Sequence, residues 1–255
     1  MRSVLATLGL AAITFAPAPA QARVDLRMNL YVNTGPELVG PESTMVVGVG
    51  QTVRFVLLAE MDGGPAPAFS EFTADLFPFD VCGGLSTRVV SFSFGEWPQF
   101  FEQPTVAGGA ILGGLAVQVP LLGPVDDSNP LVVCTFDVAF DGPDWLIYRA
   151  SANGTSGYAF GAIDDANWVF ATPERFASSV FRSVRVIAVG SPGDPIPCSV
   201  ADLAPPYGTH DLADVQVFIN SFIAGQCRGD VAPPWAILDL ADVQRFVQVF
   251  VDGCP

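Results

Sequence analysis

The chain contains no lysine, one histidine and no Cys-x-x-Cys pair. All 11 basic residues are arginine, against 26 acids, so the formal net charge is −15. A phosphate backbone requires a basic face, which excludes nucleic acid as partner. An anionic membrane surface is excluded on the same ground. With one histidine, any Ser-His-Asp or Cys-His catalytic site would have to use His210. Cys and His at finger spacing are missing, so a zinc finger is excluded. Cys82-Gly-Gly84 and Gly108-Gly109 lack the lysine and helix of a phosphate-cradling loop. Beyond residue 22 no run of 18 apolar residues occurs, so the chain is expected not to span a membrane. Half of it is nevertheless apolar, with 25 Gly and 22 Pro, which is too apolar for a disordered protein.

Residues 1–22 carry one arginine, Arg2, then an apolar stretch from Val4 to Ala16, then Ala20-Gln21-Ala22. That order fits a signal peptide with a small-x-small cleavage site. The protein is therefore expected to be secreted or held at the cell surface, where disulfides form. Its five cysteines are Cys82, Cys134, Cys198, Cys227 and Cys254. The odd number allows at most two internal bridges and leaves one thiol.

Residues 23–190 show period-two alternation. Val53, Phe55, Leu57 and Ala59 fall on one face of one run; Val132, Cys134, Phe136, Val138 and Phe140 fall on one face of another. Further strand candidates are 24–32, 45–49, 72–77, 88–94, 115–119, 145–150 and 178–189. Turn signals separate them at Asn33-Thr-Gly35, Asp62-Gly-Gly64, Asp141-Gly-Pro143 and Asn153-Gly154. Eight or nine short strands predict an all-β sandwich in preference to a barrel. A Cys82–Cys134 bridge would pin two strands across the core; two buried thiols acting as small hydrophobes are the alternative.

Ser191-Pro-Gly-Asp-Pro-Ile-Pro197 reads as an extended linker, and the chain then repeats itself over 198–255. Asp202-Leu-Ala-Pro-Pro-Tyr207 aligns with Asp230-Val-Ala-Pro-Pro-Trp235, and Asp211-Leu-Ala-Asp-Val-Gln216 with Asp239-Leu-Ala-Asp-Val-Gln244, at a constant offset of 28. Each copy predicts a loop and then a helix. Leu212, Val215, Ile219, Phe222 and Ile223, and in the second copy Leu240, Val243, Val247, Phe250 and Val251, give the apolar stripes. Asp211/Asp214 and Asp239/Asp242 open the helices as caps, and Gly225 and Gly253 end them.

Two family resemblances rest on these residues. Val47–Leu57, Phe72–Asp80 and Pro130–Val138 resemble strands of cohesin-like extracellular sandwiches, which implies a fold more than a partner. Ala201–Pro206, Asp211–Val215 and the terminal Gly253-Cys254-Pro255 resemble a dockerin, in the variant ending in Gly-Cys of planctomycete-type secreted proteins. That resemblance implies a small helical module of two loop–helix repeats that attaches or sorts an exported protein through a protein partner. Dockerin-type loops hold calcium; here Asp202, Asp211, Asp214, Asp230, Asp239 and Asp242 are the carboxylates left for degenerate Ca2+ loops. Ala204, Pro206, Ala232 and Pro234 stand where other oxygen ligands belong. No metal is required, and the competing reading makes the six aspartates caps and loop hydrogen-bond acceptors. Two antiparallel repeats bring the module's ends together, predicting a Cys198–Cys254 bridge with Cys227 as the odd thiol. A covalent processing role for Cys254 is the alternative. Val217, Phe218, Phe246 and Phe250 are the candidate partner-binding residues.

No catalytic set emerges. His210 corresponds to Leu238 in the second repeat, which favours a structural role. Trp97, Trp145 and Trp168, with Tyr148, are candidates for a sugar-stacking platform, against packing in the core and turns. The reading that results is an exported non-enzymatic surface or matrix protein; its alternative is a carbohydrate-binding module for extracellular polysaccharide.

Overall fold

The computed structural model describes residues 25–62, 67–80, 86–119, 124–152, 160–164, 167–171, 181–235 and 237–254. The leader 1–22, Cys82 and the Asn153-Gly154 turn lie outside them. Among the described residues the strands are β1 (Asp25–Asn33), β2 (Leu38–Val39), β3 (Thr44–Gly48), β4 (Thr52–Asp62), β5 (Pro67–Phe72), β6 (Ala74–Asp80), β7 (Thr87–Phe94), β8 (Phe100–Glu102) and β9 (Thr105–Ala107). They continue with β10 (Ala110–Leu112), β11 (Leu115–Val117), β12 (Leu131–Phe140), β13 (Asp144–Ala152), β14 (Phe160–Asp164), β15 (Asn167–Ala171), β16 (Phe181–Arg182) and β17 (Arg185–Val189). The first sheet runs β16-β1-β4-β12-β7, with β2 beside β1; the second runs β3-β17-β13-β6-β10-β9; the third runs β15-β14-β5-β11-β8.

The second and third sheets are halves of one layer. Only Thr73 separates β5 from β6, and only Gly113-Gly114 separates β10 from β11, yet each pair is divided between the two sheets. Gly113 makes the break possible: its φ is +70°, and its N–H donates to Asp75 Oδ1 at 2.6 Å. The first sheet faces this layer. Phe55 and Phe136 meet Tyr148 of the second sheet at ring separations of 5.4 and 5.1 Å, and Phe94 meets Phe72 of the third at 5.8 Å. The expected 178–189 strand is two strands instead. β16 pairs in parallel with β1 and β17 in parallel with β3, so the chain changes layer at Ser183-Val184.

Val53, Phe55, Leu57 and Ala59 are buried together, as period-two alternation requires. Strand β12 departs from the alternation. A β-bulge between Val132 and Cys134 turns Val133 into the core and leaves Val132 42 % exposed. Val133 then closes against Trp97, whose indole N–H donates to the Val133 carbonyl at 2.9 Å. Cys134 is a free, fully buried thiol, so the Cys82–Cys134 bridge is not formed. Burial in an apolar core pushes its pKa far up and makes it inert.

The C-terminal part contains α1 (Leu212–Ile223), a 3-10 turn (Cys227–Gly229) and α2 (Leu240–Asp252). Cys198 and Cys254 are joined by a disulfide, with Cα atoms 5.4 Å apart. Cys227 is disulfide-bonded as well, so it is not the odd thiol. A second apolar core lies between this part and the outer face of the second sheet. Trp145, Ile187 and Val189 of the sandwich pack there with Val200, Ala201, Leu203, Phe218, Val231 and Phe246. No helix among the described residues is long and apolar enough to cross a membrane.

The bulge gives a prediction that plain alternation reverses. Val133→Thr should cost about 1–3 kcal/mol, because its hydroxyl is buried beside apolar neighbours. Val132→Thr should stay within about 0.5 kcal/mol. Urea unfolding midpoints of the two variants check the order.

Candidate partner-docking site

Each loop of the tail is organised by one buried aspartate. Asp214 Oδ1 accepts from the N–H groups of Leu203 and Ala204 at 2.7 and 2.8 Å, and its Oδ2 accepts from Asp211 N–H at 2.8 Å. Asp242 repeats the pattern with Val231, Ala232 and Asp239 at 2.7, 2.9 and 2.9 Å. Asp211 and Asp239 are N-caps, accepting from Ala213 and Ala241 N–H at 2.7 Å each. These reciprocal bonds form a capping box at each helix start. A carboxylate accepting three backbone N–H bonds satisfies donors that a short loop and a helix terminus would otherwise leave unpaired.

The first residue of each loop behaves differently in the two copies. Asp202 Oδ2 accepts from Cys198 and Gly208 N–H at 2.9 and 2.6 Å, while its Oδ1 is buried without a hydrogen-bond partner. Asp230 meets Arg185 of β17. The guanidinium donates from Nη1 to the Asp230 carbonyl, and Nη2 lies 3.3 Å from Oδ2. Arg185 has no exposed surface, and its guanidinium carbon lies 5.0 Å from the centre of the Trp145 ring and 4.6 Å from that of the Trp235 ring. Burial pulls its pKa down, and the charges of Asp230 and Asp242 oppose that pull. This desolvated cation, with two indole rings and a carboxylate near it and its Nε and Nη2 without a hydrogen bond among the described residues, links the tail to the sheet.

A dockerin-type metal does not fit these loops. Both oxygens of Asp214 and of Asp242 are engaged by backbone donors, and in the second loop the cation beside Asp230 is an arginine. Ca2+ takes roughly 6–8 oxygens, and in the first loop Asp202 Oδ1 is the one buried carboxylate oxygen left over.

The candidate partner-binding residues are largely core. Phe218 and Phe246, equivalent in the two repeats, are buried and stack on each other at 4.0 Å with ring planes 7° apart. Val217 and Phe250 are half-buried against the same cluster. What the helices leave outside is another set. Leu212, Ile219 and Ile223 of α1, and Leu240, Val247 and Val251 of α2, are 44–81 % exposed and match one another at the repeat offset. Within each helix they are spaced i, i+7, i+11 and share one face.

The sugar platform is not assembled. Trp97 and Tyr148 are buried in the sandwich, Trp145 is buried beneath the tail, and the Trp168 side chain lies outside the described residues. His210 is placed by Phe250, whose carbonyl lies 3.1 Å from Nδ1 and whose ring stacks on the imidazole; Nε2 lies 2.6 Å from Ser199 Oγ. A backbone carbonyl therefore stands where a triad would have a carboxylate. Sequence reading missed Arg185 and Trp235. The available signal was an arginine inside the apolar run Val184-Arg-Val-Ile-Ala-Val189.

Replacing Arg185 with Met should leave the Asp230 carboxylate buried beside an uncharged side chain. The expected cost is about 3–5 kcal/mol, concentrated in the tail. The signature is faster proteolysis within 191–197, with the sandwich retaining its melting transition.

No protein-family model and no curated protein matches the chain. Among solved structures it is similar to a type I cohesin, the seventh of ScaB from Pseudobacteroides cellulosolvens, at 11% identity and TM-score 0.42, covering 65% of this chain and 94% of that one. A type I cohesin–dockerin complex from Clostridium thermocellum gives 13% identity and TM-score 0.42, with 65% and 96% covered. A cohesin from Clostridium acetobutylicum, solved in solution, gives 10% identity and TM-score 0.37, with 68% and 96% covered.

Proposed function

We propose that the protein is an exported, non-enzymatic surface or matrix component, tethered or sorted by a dockerin-like tail that docks a protein partner. The carrying observation is the duplicated exposed face, Leu212/Ile219/Ile223 and Leu240/Val247/Val251. Three exposed apolar side chains on one face of each helix, at matching positions in two repeats, are a pattern of contact faces rather than scattered exposure. The partner is a protein with an apolar groove that receives a helix face. Its rim is basic, because this chain carries −15. The leader at 1–22 and the Cys198–Cys254 bridge support an oxidising, extracellular setting. The polysaccharide alternative loses its support with Trp97 and Trp145 buried.

The test uses the full chain as bait on the envelope of the producing cell, beside an Ile219→Asp/Val247→Asp variant. Both positions are exposed, so circular dichroism should be unchanged. A protein captured by the wild type and lost at least ~tenfold by the variant is the expected result. Equal capture by both, or retention on polysaccharide alone, overturns the reading.

The tail's loops fold on hydrogen bonds and on Arg185, so calcium is not required. Melting of the full chain in excess chelator and in millimolar Ca2+ should agree within about 1 °C, whereas Ca2+ at 100 times its Kd would add ~2.7 kcal/mol.

A further inference from the structure

The repeat explains most of the tail and fails at one cluster. His210 stands where the second copy has Leu238, and Cys198 and Cys254 both map at the repeat offset onto Gln226. Loop and helix therefore form without these three residues, yet the fold gathers them. The two sulfurs are those of the Cys198–Cys254 disulfide, and a ring nitrogen of His210 lies within 4.8 Å of both, all three residues half-buried. The imidazole is already oriented. Its Nδ1–H donates to the Phe250 carbonyl at 3.1 Å, so the Nε2 lone pair is directed toward Ser199 and Cys198. A backbone carbonyl on the far nitrogen is how proteins hold a metal-binding histidine. Nε2 lies 3.6 Å from Cys198 Sγ. In a tetrahedral zinc site, with Zn–S about 2.3 Å and Zn–N about 2.0–2.1 Å, sulfur and nitrogen sit about 3.5 Å apart.

We propose that the oxidised clasp is one state of a redox-gated Cys2His site, and that its reduced state takes Zn2+. A small dithiol reduces the Cys198–Cys254 bond: it supplies two electrons and two protons and leaves as its own cyclic disulfide. Zn2+ then releases both thiol protons to solvent and takes two thiolates and Nε2. The Ser199 hydroxyl gives up its hydrogen bond to Nε2, and water fills the fourth position. The ion holds the module's start to its end as the disulfide does, so the tail stays closed in either redox state.

The full chain is reduced with a dithiol, the reductant is removed without air, and Co2+ is titrated as the spectroscopic probe, followed by displacement with Zn2+. Tetrahedral thiolate bands should appear and be lost to Zn2+. His210→Leu, which installs the second repeat's own residue, should weaken Co2+ binding at least ~tenfold. Cys198→Ser/Cys254→Ser should abolish it while keeping Cys82, Cys134 and Cys227. If reduction unfolds the tail, Zn2+ should restore its helical circular dichroism in the wild type and not in His210→Leu. Absent bands, equal affinity with His210→Leu, binding that survives the double serine variant, or helicity unrestored by Zn2+ each overturn the proposal.

Discussion

A guanidinium with no exposed surface joins the two parts of this chain. Taking an arginine out of water costs several kcal/mol, which only charge and geometry in the protein can offset. Here Asp230 supplies a carboxylate and a carbonyl, the Trp145 and Trp235 rings lie 5.0 and 4.6 Å from the guanidinium carbon, and Nε and Nη2 are buried without a hydrogen bond among the described residues. The contributors come from β13, β17 and the second repeat loop, so the site exists only when the tail is seated. The apolar residues around it, Ile187, Val189, Phe218 and Phe246 among them, provide area, which is not directional. Arg185 provides register.

That contact breaks the symmetry of the duplication. Inside the tail the copies match: Phe218 stacks on Phe246, and the Phe218–Phe222 and Phe246–Phe250 separations are 5.8 and 5.7 Å. Asp214 and Asp242 serve the same three backbone positions in their loops. Among the described residues only the second loop receives a cation from the sandwich, while Asp202 turns its carboxylate onto its own loop. One loop thus serves the interface between the parts and the other stays internal to the tail.

The strong sequence signals were those whose physics is local. Reciprocal Asp-x-x-Asp caps need only residues three apart, and both helices begin where those caps stand. Long alternating strands such as β4 and β12 were legible for the same reason. Val132 was misplaced because a bulge inserts one residue without any compositional mark, and β8, β9 and β10 are three residues each, too short to show a period. The helix stripes were legible as stripes, but which edge of each faces inward was not. That is decided by the shared apolar cluster, in which Phe218 stacks on Phe246 of the other helix and Val217 and Phe222 pack, while Leu212, Ile219 and Ile223 stay outside.

Seating the tail also settles which surfaces remain for others. The loop side is used up: Asp230 and Trp235 are committed to Arg185, and Leu203 and Val231 are buried against the sheet. The apolar stripes of α1 and α2 are exposed although the tail has already found its place on the sandwich. They are therefore not remnants of a core awaiting closure. Two matched apolar faces stand in water on a duplicated module whose other side is linked to the sandwich by a buried ion pair, and it is on these faces that the proposed docking rests. Rigid seating would favour the proposed docking, because a partner meeting a preformed helix face does not have to order the tail as it binds.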